Sequence, residues 1–232
     1  MAQLLLDLQP AQPPTLDNFI PGTNQELLAR LRALATPGCF DALYLWGMEG
    51  SGKSHLLSAV ASLAMRKRPV MFLDRRPASA DFFDLPGGLL VVDDIDNLDE
   101  AAQITLFRLY NTARMIGLGL LLAGNRPPLQ LNLREDLRTR IGQTLIYEVK
   151  PLNDEQKVSA LHQHARERGM KIDDSLVQYL LTHGRRDLPS LMAVLDHLDR
   201  TTLERQRPAT LPLLKEALQL QLMPQENEPS PV

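Results

Sequence analysis

Thiol chemistry is almost missing from this chain. Its 232 residues include one cysteine, Cys39, so no intrachain disulfide can form and no metal site can be built from several thiolates. Such usage suits a reducing compartment, and Cys39 reads as a small buried hydrophobe. Excess positive charge is missing too. The 25 Lys and Arg against 28 Asp and Glu give a formal net charge of −3. That argues against a broad DNA-coating surface, which needs clustered cations to displace counterions, and leaves only a local basic patch open. No apolar run approaches the roughly 20 residues that span a bilayer. The Leu4–Leu6 run is too short for the apolar region of a signal peptide and has no Lys or Arg before it. What remains is a globular composition, 44% apolar and 23% charged, in a chain long enough for one large domain or two modest ones.

The first distinctive stretch is Gln3-Leu4-Leu5-Leu6-Asp7-Leu8, followed by the spacer QPAQPP at residues 9–14. Prolines lack the backbone donor and force extended neighbours, so the spacer is semi-rigid and separates the leucines from everything downstream. Two readings stand: the first strand of a core, or a peptide meant for a partner. From about residue 16 to residue 150 the pattern alternates. Glu26–Ala35, Ser54–Met65 and Ala101–Met115 have helical spacing. Between them lie apolar runs at Ala42–Trp46, Pro69–Leu73, Leu89–Val92, Leu118–Ala123 and Thr144–Val149. Continuous rather than alternating runs predict parallel strands covered by helices on both faces, hence an α/β domain. From Pro151 onward only helical periods remain. Caps are expected at Asn153, with Gln156 three residues on, at Asp173 or Asp174, and at Thr210. The division expected is a tail and spacer at 1–15, an α/β nucleotide-binding domain at 16–150, an all-helical lid at 151–222 and a disordered tail at 223–232.

The strongest chemical signal is Gly47-Met48-Glu49-Gly50-Ser51-Gly52-Lys53-Ser54. It fits the phosphate-loop pattern, with a strand (Leu43-Tyr44-Leu45-Trp46) before it and an apolar helical stretch after it. Glycines let successive N–H groups curl toward phosphate oxygens at a helix N-terminus. Lys53 would reach the β- and γ-phosphates and Ser54 would hold Mg²⁺, while His55, next on the helix, is expected to pack there beside the nucleotide. Leu89–Val92 ends in Asp93 and Asp94, the first placed to hold the Mg²⁺ shell and the second to polarise an attacking water. Leu120–Gly124 leads to Asn125, a polar group that could meet the γ-phosphate. The paired arginines Arg30–Arg32, Arg66–Arg68 and Arg166–Arg168 read as solvated faces. His162, His164, His183 and His197 show no ligand spacing.

These elements in this order, followed by a helical lid, resemble the AAA+ ATPases, and within them the initiator clade around the bacterial replication initiator DnaA. Val91-Val92-Asp93-Asp94-Ile95 has the paired-Asp form of that group. Asn125-Arg126-Pro127-Pro128 is similar to its sensor 1 segment, with Asn125 where Asp is common. Asp136-Leu137-Arg138-Thr139-Arg140-Ile141-Gly142 resembles its box VII, which puts the arginine finger on Arg140, with Arg138 as the competing residue. Arg186-Asp187-Leu188 resembles sensor 2 and places that role on Arg186, with Arg185 competing. The short stretch 74–88, and the want of a helix-turn-helix segment after the lid in this sequence, are read as the loss of an initiator's DNA-handling parts.

In that setting Gln3–Leu8 resembles the peptide by which replication proteins dock on the sliding clamp, the β subunit of DNA polymerase III: a Gln for the pocket rim, then leucines for an apolar pocket, with Asp7 between them. The resemblance implies a cytoplasmic, nucleoid-associated bacterial protein that binds ADP or ATP with Mg²⁺. Its partners would be DnaA and the clamp, with DNA met through the clamp. It would restrain replication initiation by stimulating DnaA's ATP hydrolysis through a trans finger. Homo-oligomerisation and intrinsic ATPase activity, for which Lys53 and Asp94 are intact, stay open. So do two other functions: a helicase-loader-type ATPase, and a nucleotide-stabilised clamp adaptor.

Overall fold

The structure, a computed structural model, describes residues 13–21, 24–38, 40–73, 85–185 and 187–222, with the side chains of 220–222 excepted. The hexamer Gln3–Leu8, Cys39, most of the 74–88 stretch, Arg186 and the 223–232 tail lie outside the described residues. The chain divides into two compact units, an α/β unit within Gln9–Pro151 and a helical unit from Leu152 onward.

In the α/β unit the order is α1 (Gln25–Leu34), β1 (Ala42–Trp46), α2 (Lys53–Ala64), β2 (Val70–Phe72), β3 (Leu89–Val92), α3 (Glu100–Ile116), β4 (Gly119–Gly124), α4 (Glu135–Ile141) and β5 (Leu145–Glu148). The five strands form one sheet in the order β2-β3-β4-β1-β5, and every pairing is parallel. The three central strands are buried on both faces, and their alternation divides the core. Leu43, Leu45, Leu89, Val91, Leu121 and Ala123 pack with α1 and α2. Tyr44, Leu90, Val92, Leu120 and Leu122 pack with α3 and α4 on the other side. From β1 the chain crosses toward β2, while from β4 it crosses toward β5, so a crevice opens at the carboxyl ends of β1 and β4.

Helix α4 offers little apolar periodicity to sequence reading. Its buried residues are Leu137 and Ile141, and the rest of EDLRTRI is polar. The two buried positions, four apart, lie on one face and seat it against the core cluster that includes α3.

The helical unit comprises α5 (Asp154–Glu167), α6 (Asp174–His183), α7 (Leu188–Arg205) and α8 (Leu211–Leu222). Asn153 and Gln156 form a reciprocal capping box on α5, and Asp173 caps α6 by accepting from the Leu176 N–H. Asp187 caps α7 through Ser190 N–H. Leucines 161, 176, 180, 191, 195, 198 and 214 fill the centre of this unit.

Two of the arginines read as solvated are not. Arg68 is 5% exposed. Its guanidinium donates to the carbonyls of Leu34, Thr36 and Gly88, tying the end of α1 to the approach to β3. Burial pushes it below its ordinary value. Arg168 lies against Asp196 at 2.8 Å, and Asp196 also meets His164 at 2.6 Å. In both places the carbonyl or carboxylate partners are distant in sequence, so an Arg-x-Arg pattern could not reveal them. Replacing Arg68 by Ala takes a donor from all three carbonyls, of which Gly88 O keeps the Gly119 N–H. The expected cost is about 2–4 kcal/mol in urea denaturation of the α/β unit, and a loss below about 0.5 kcal/mol would show that water replaces it.

Candidate nucleotide site

The carboxyl end of β1 runs directly into the glycine loop. Gly47 N–H donates to Gly124 O at 3.3 Å, and a Cβ on Gly47 would collide with the Val149 carbonyl. Gly50 and Gly52 have φ of 76° and 98°, conformations that side chains other than glycine's resist. Gly52 then caps α2, a twelve-residue helix with no acidic residue in its first turn and no side-chain cap. Its first N–H groups are therefore disposed for an anion.

Lys53 is buried, and its ammonium donates to the carbonyls of Gly47 at 2.8 Å and Met48 at 2.9 Å. Burial lowers its pKa, opposed by the charges of Asp93, Asp96, Asp94 and Glu49. Beside it, Ser51 Oγ is buried with no hydrogen-bond partner among the described residues. An orphaned hydroxyl, a lysine resting on loop carbonyls and an uncapped helix start fit the phosphates of a nucleotide. Ser54 and Asp93 are exposed and could complete a Mg²⁺ shell with phosphate oxygens. Among the described residues no three His, Cys, Asp or Glu side chains form a metal cage by themselves.

The parallel register puts the ends of β3 and β4 at the same edge of the sheet as the loop. Asp94 has φ of 53°, a left-handed conformation that Asp tolerates better than most residues. Its carboxylate accepts from Asn97 Nδ2 at 2.9 Å. Asn125 is exposed, and its backbone N–H donates to Asp96 Oδ2 at 2.6 Å.

Three residues not singled out by motif complete the neighbourhood. Asp96 fixes the end of β4. Tyr44, fully buried, donates its hydroxyl to Arg126 O at 2.6 Å, and burial, then Asp96, pushes its pKa strongly up. Phe19 lies so close over the loop that a Cβ on Gly52 would meet its Cε2 at 2.8 Å. His55 packs 5.7 Å from the Phe19 ring, and its Nε2–H donates to Thr15 O at 2.9 Å. The third acid of DDID was a visible signal for Asp96. Nothing near Phe19 or Tyr44 in the sequence pointed to these contacts.

Arg140 stands apart from the loop, on α4. It makes no ion pair with a described residue. Its guanidinium lies 5.9 Å from the centre of the Tyr110 ring and reaches Gln143 Oε1 at 3.5 Å. Asp136 pairs instead with Arg134, at 3.0 Å. Arg138 is partly buried. Arg185 is exposed and pairs with Asp187 at 3.4 Å, and Arg186 lies outside the described residues.

The fold is similar to those of solved DnaA and RuvB structures. Domain III of the Thermotoga maritima replication initiator DnaA superposes with a TM-score of 0.74 at 19% identity, covering 93% of this chain and 100% of that one. AMPPCP-bound DnaA from Aquifex aeolicus gives 0.64 at 20% identity, covering 84% and 70%. A variant of Thermotoga maritima RuvB gives 0.71 at 18%, covering 90% and 72%. Within the helical unit, residues 154–218 match the family model described as "Hda, lid domain". The chain thus has a DnaA-like fold, and its helical unit matches the Hda lid model. Among the described residues no helix is long and apolar enough to cross a membrane.

Phosphate oxygens replacing carbonyls around Lys53 would favour its charged form and raise its lowered pKa. ADP binding at alkaline pH, where the phosphates no longer titrate, is therefore expected to take up protons, as read by calorimetry in buffers of different ionisation enthalpy. Lys53→Ala should abolish that uptake and weaken ADP about 10- to 100-fold. Binding without uptake would show that the ammonium does not reach the phosphates.

Proposed function

We propose that this protein is a nucleotide-binding regulator of replication initiation that docks on the sliding clamp and makes DnaA hydrolyse its ATP. The observation that carries the reading is Arg140, presented on α4 with no carboxylate partner among the described residues, in a chain whose lid matches the Hda model. In trans, Arg140 would enter the neighbouring DnaA nucleotide site and stabilise charge on the transferring phosphoryl group. The chain's own ADP or ATP, with Mg²⁺, would be held by Gly47, Gly50, Ser51, Gly52, Lys53, Ser54 and Asp93 and would set the form of the DnaA-facing surface. Asp94 would serve as water activator and Asn125 as sensor 1. Gln3–Leu8 would tether the protein to clamps on DNA, raising its effective concentration there.

The test is phosphate release from DnaA–ATP in the presence of clamp loaded on DNA. Wild type should stimulate strongly. Arg140→Ala should remove most of a rate effect that trans fingers set at roughly 10³–10⁵, and deletion of residues 1–9 should remove the clamp dependence. Absence of stimulation by wild type would favour a helicase-loader ATPase or a clamp adaptor.

A further inference from the structure

We infer that Tyr110 and Arg134 are positioning residues for Arg140, holding its guanidinium in place while keeping it free of a neutralising carboxylate. The inference rests on the trans-finger reading. Asp136 stands four residues before Arg140 on the same helix, a spacing at which carboxylate and guanidinium ordinarily pair. Such a pair would tie Arg140 down and cancel the charge a finger must deliver.

Asp136 is occupied elsewhere. Arg134 grips it with two hydrogen bonds, Nε to Oδ1 at 3.3 Å and Nη2 to Oδ2 at 3.0 Å, a forked geometry that suits guanidinium and carboxylate. The Leu137 N–H gives Asp136 Oδ1 a further bond at 2.8 Å. The hydrogen bond from Arg134 holds the Asp136 carboxyl below its usual range. Arg134 is itself anchored to α3, through Glu100 at 3.9 Å and through its N–H to Gln103 Oε1 at 2.9 Å.

What Arg140 receives in place of a carboxylate is an aromatic face. Tyr110 is partly buried against the α3 side of the core and braced edge-on by Phe40, with ring centres 6.4 Å apart. A cation over such a ring is oriented yet keeps its charge, and it can leave at modest cost. The opening in front of it is a shallow groove of about 710 Å³ lined by Phe107, Arg134, Glu135, Asp136, Thr139 and Arg140. An incoming phosphate would therefore meet a pre-aimed, uncompensated cation.

Two readouts test this in the full chain. In the clamp-dependent DnaA assay, Arg134→Ala should lower stimulation about tenfold, and adding Asp136→Asn should restore it to within about twofold, because the released carboxylate is then gone. Tyr110→Leu should lower stimulation about fivefold while Tyr110→Phe retains it. In parallel, the NMR resonance of Arg140 Nε–H should carry a ring-induced shift that Tyr110→Leu removes and Tyr110→Phe keeps. Loss in Arg134→Ala that Asp136→Asn does not restore would reduce Arg134 to a structural role and overturn its part. An Arg140 resonance indifferent to Tyr110→Leu would overturn the other. If wild type and Arg140→Ala stimulate equally, the finger reading falls separately; the resonance then decides for Tyr110, and its displacement in Arg134→Ala, reversed by adding Asp136→Asn, decides for Arg134.

Discussion

Strand β1 is paired on both sides, and the candidate nucleotide site depends on that pairing. Its register with β4 and β5 fixes Trp46 opposite Gly124 and Glu148. One residue later the loop begins, with Gly47 wedged between the ends of both neighbours and no space for a side chain. A chain leaving that strand must turn sharply over the sheet edge, and the positive φ values of Gly50 and Gly52 let it do so. The start of α2 then faces the crevice that the crossed connections open. A slip of one residue would exchange the two core faces, which are separately specified by alternate residues of β1, β3 and β4.

Around that loop the charges are arranged in opposition. Burial disfavours the Lys53 ammonium, and four acids favour it. A nucleotide would supply both what Lys53 gains and what Ser51 Oγ lacks. Asp96 accepts from the Asn125 N–H, which ties the segment after β3, with Asp93 and Asp94, to the end of β4, and Tyr44 on β1 holds Arg126 just beyond Asn125. At Arg140 the arrangement is reversed: the nearby carboxylate is engaged by another arginine, and the cation rests on a ring.

Much of this was legible in the sequence, for identifiable reasons. Continuous apolar strands, helical spacing and Asn153 with Gln156 are local patterns, and each appears in the structure within a residue or two of its expected limits. Glycine loop and strand context are local as well. Arg68, Tyr44 and Phe19 were not legible, because their partners lie at Gly88, Arg126 and Gly52, and nothing in the spacing links such distant positions. Helix α4 was read through its resemblance to box VII rather than through periodicity, since only two of its seven residues are buried.

The central claim is that the hydrolysed ATP belongs to the neighbour and that this chain supplies only a charge. The most direct measurement is single-turnover loss of labelled ATP preloaded on DnaA, with clamp on DNA, using this protein as wild type and as Asp94→Asn. The account predicts equal rates, because Asp94 is the candidate water activator of this chain's own site and takes no part in DnaA's. A rate that falls with Asp94→Asn would mean that turnover in this chain drives the reaction, and would contradict it.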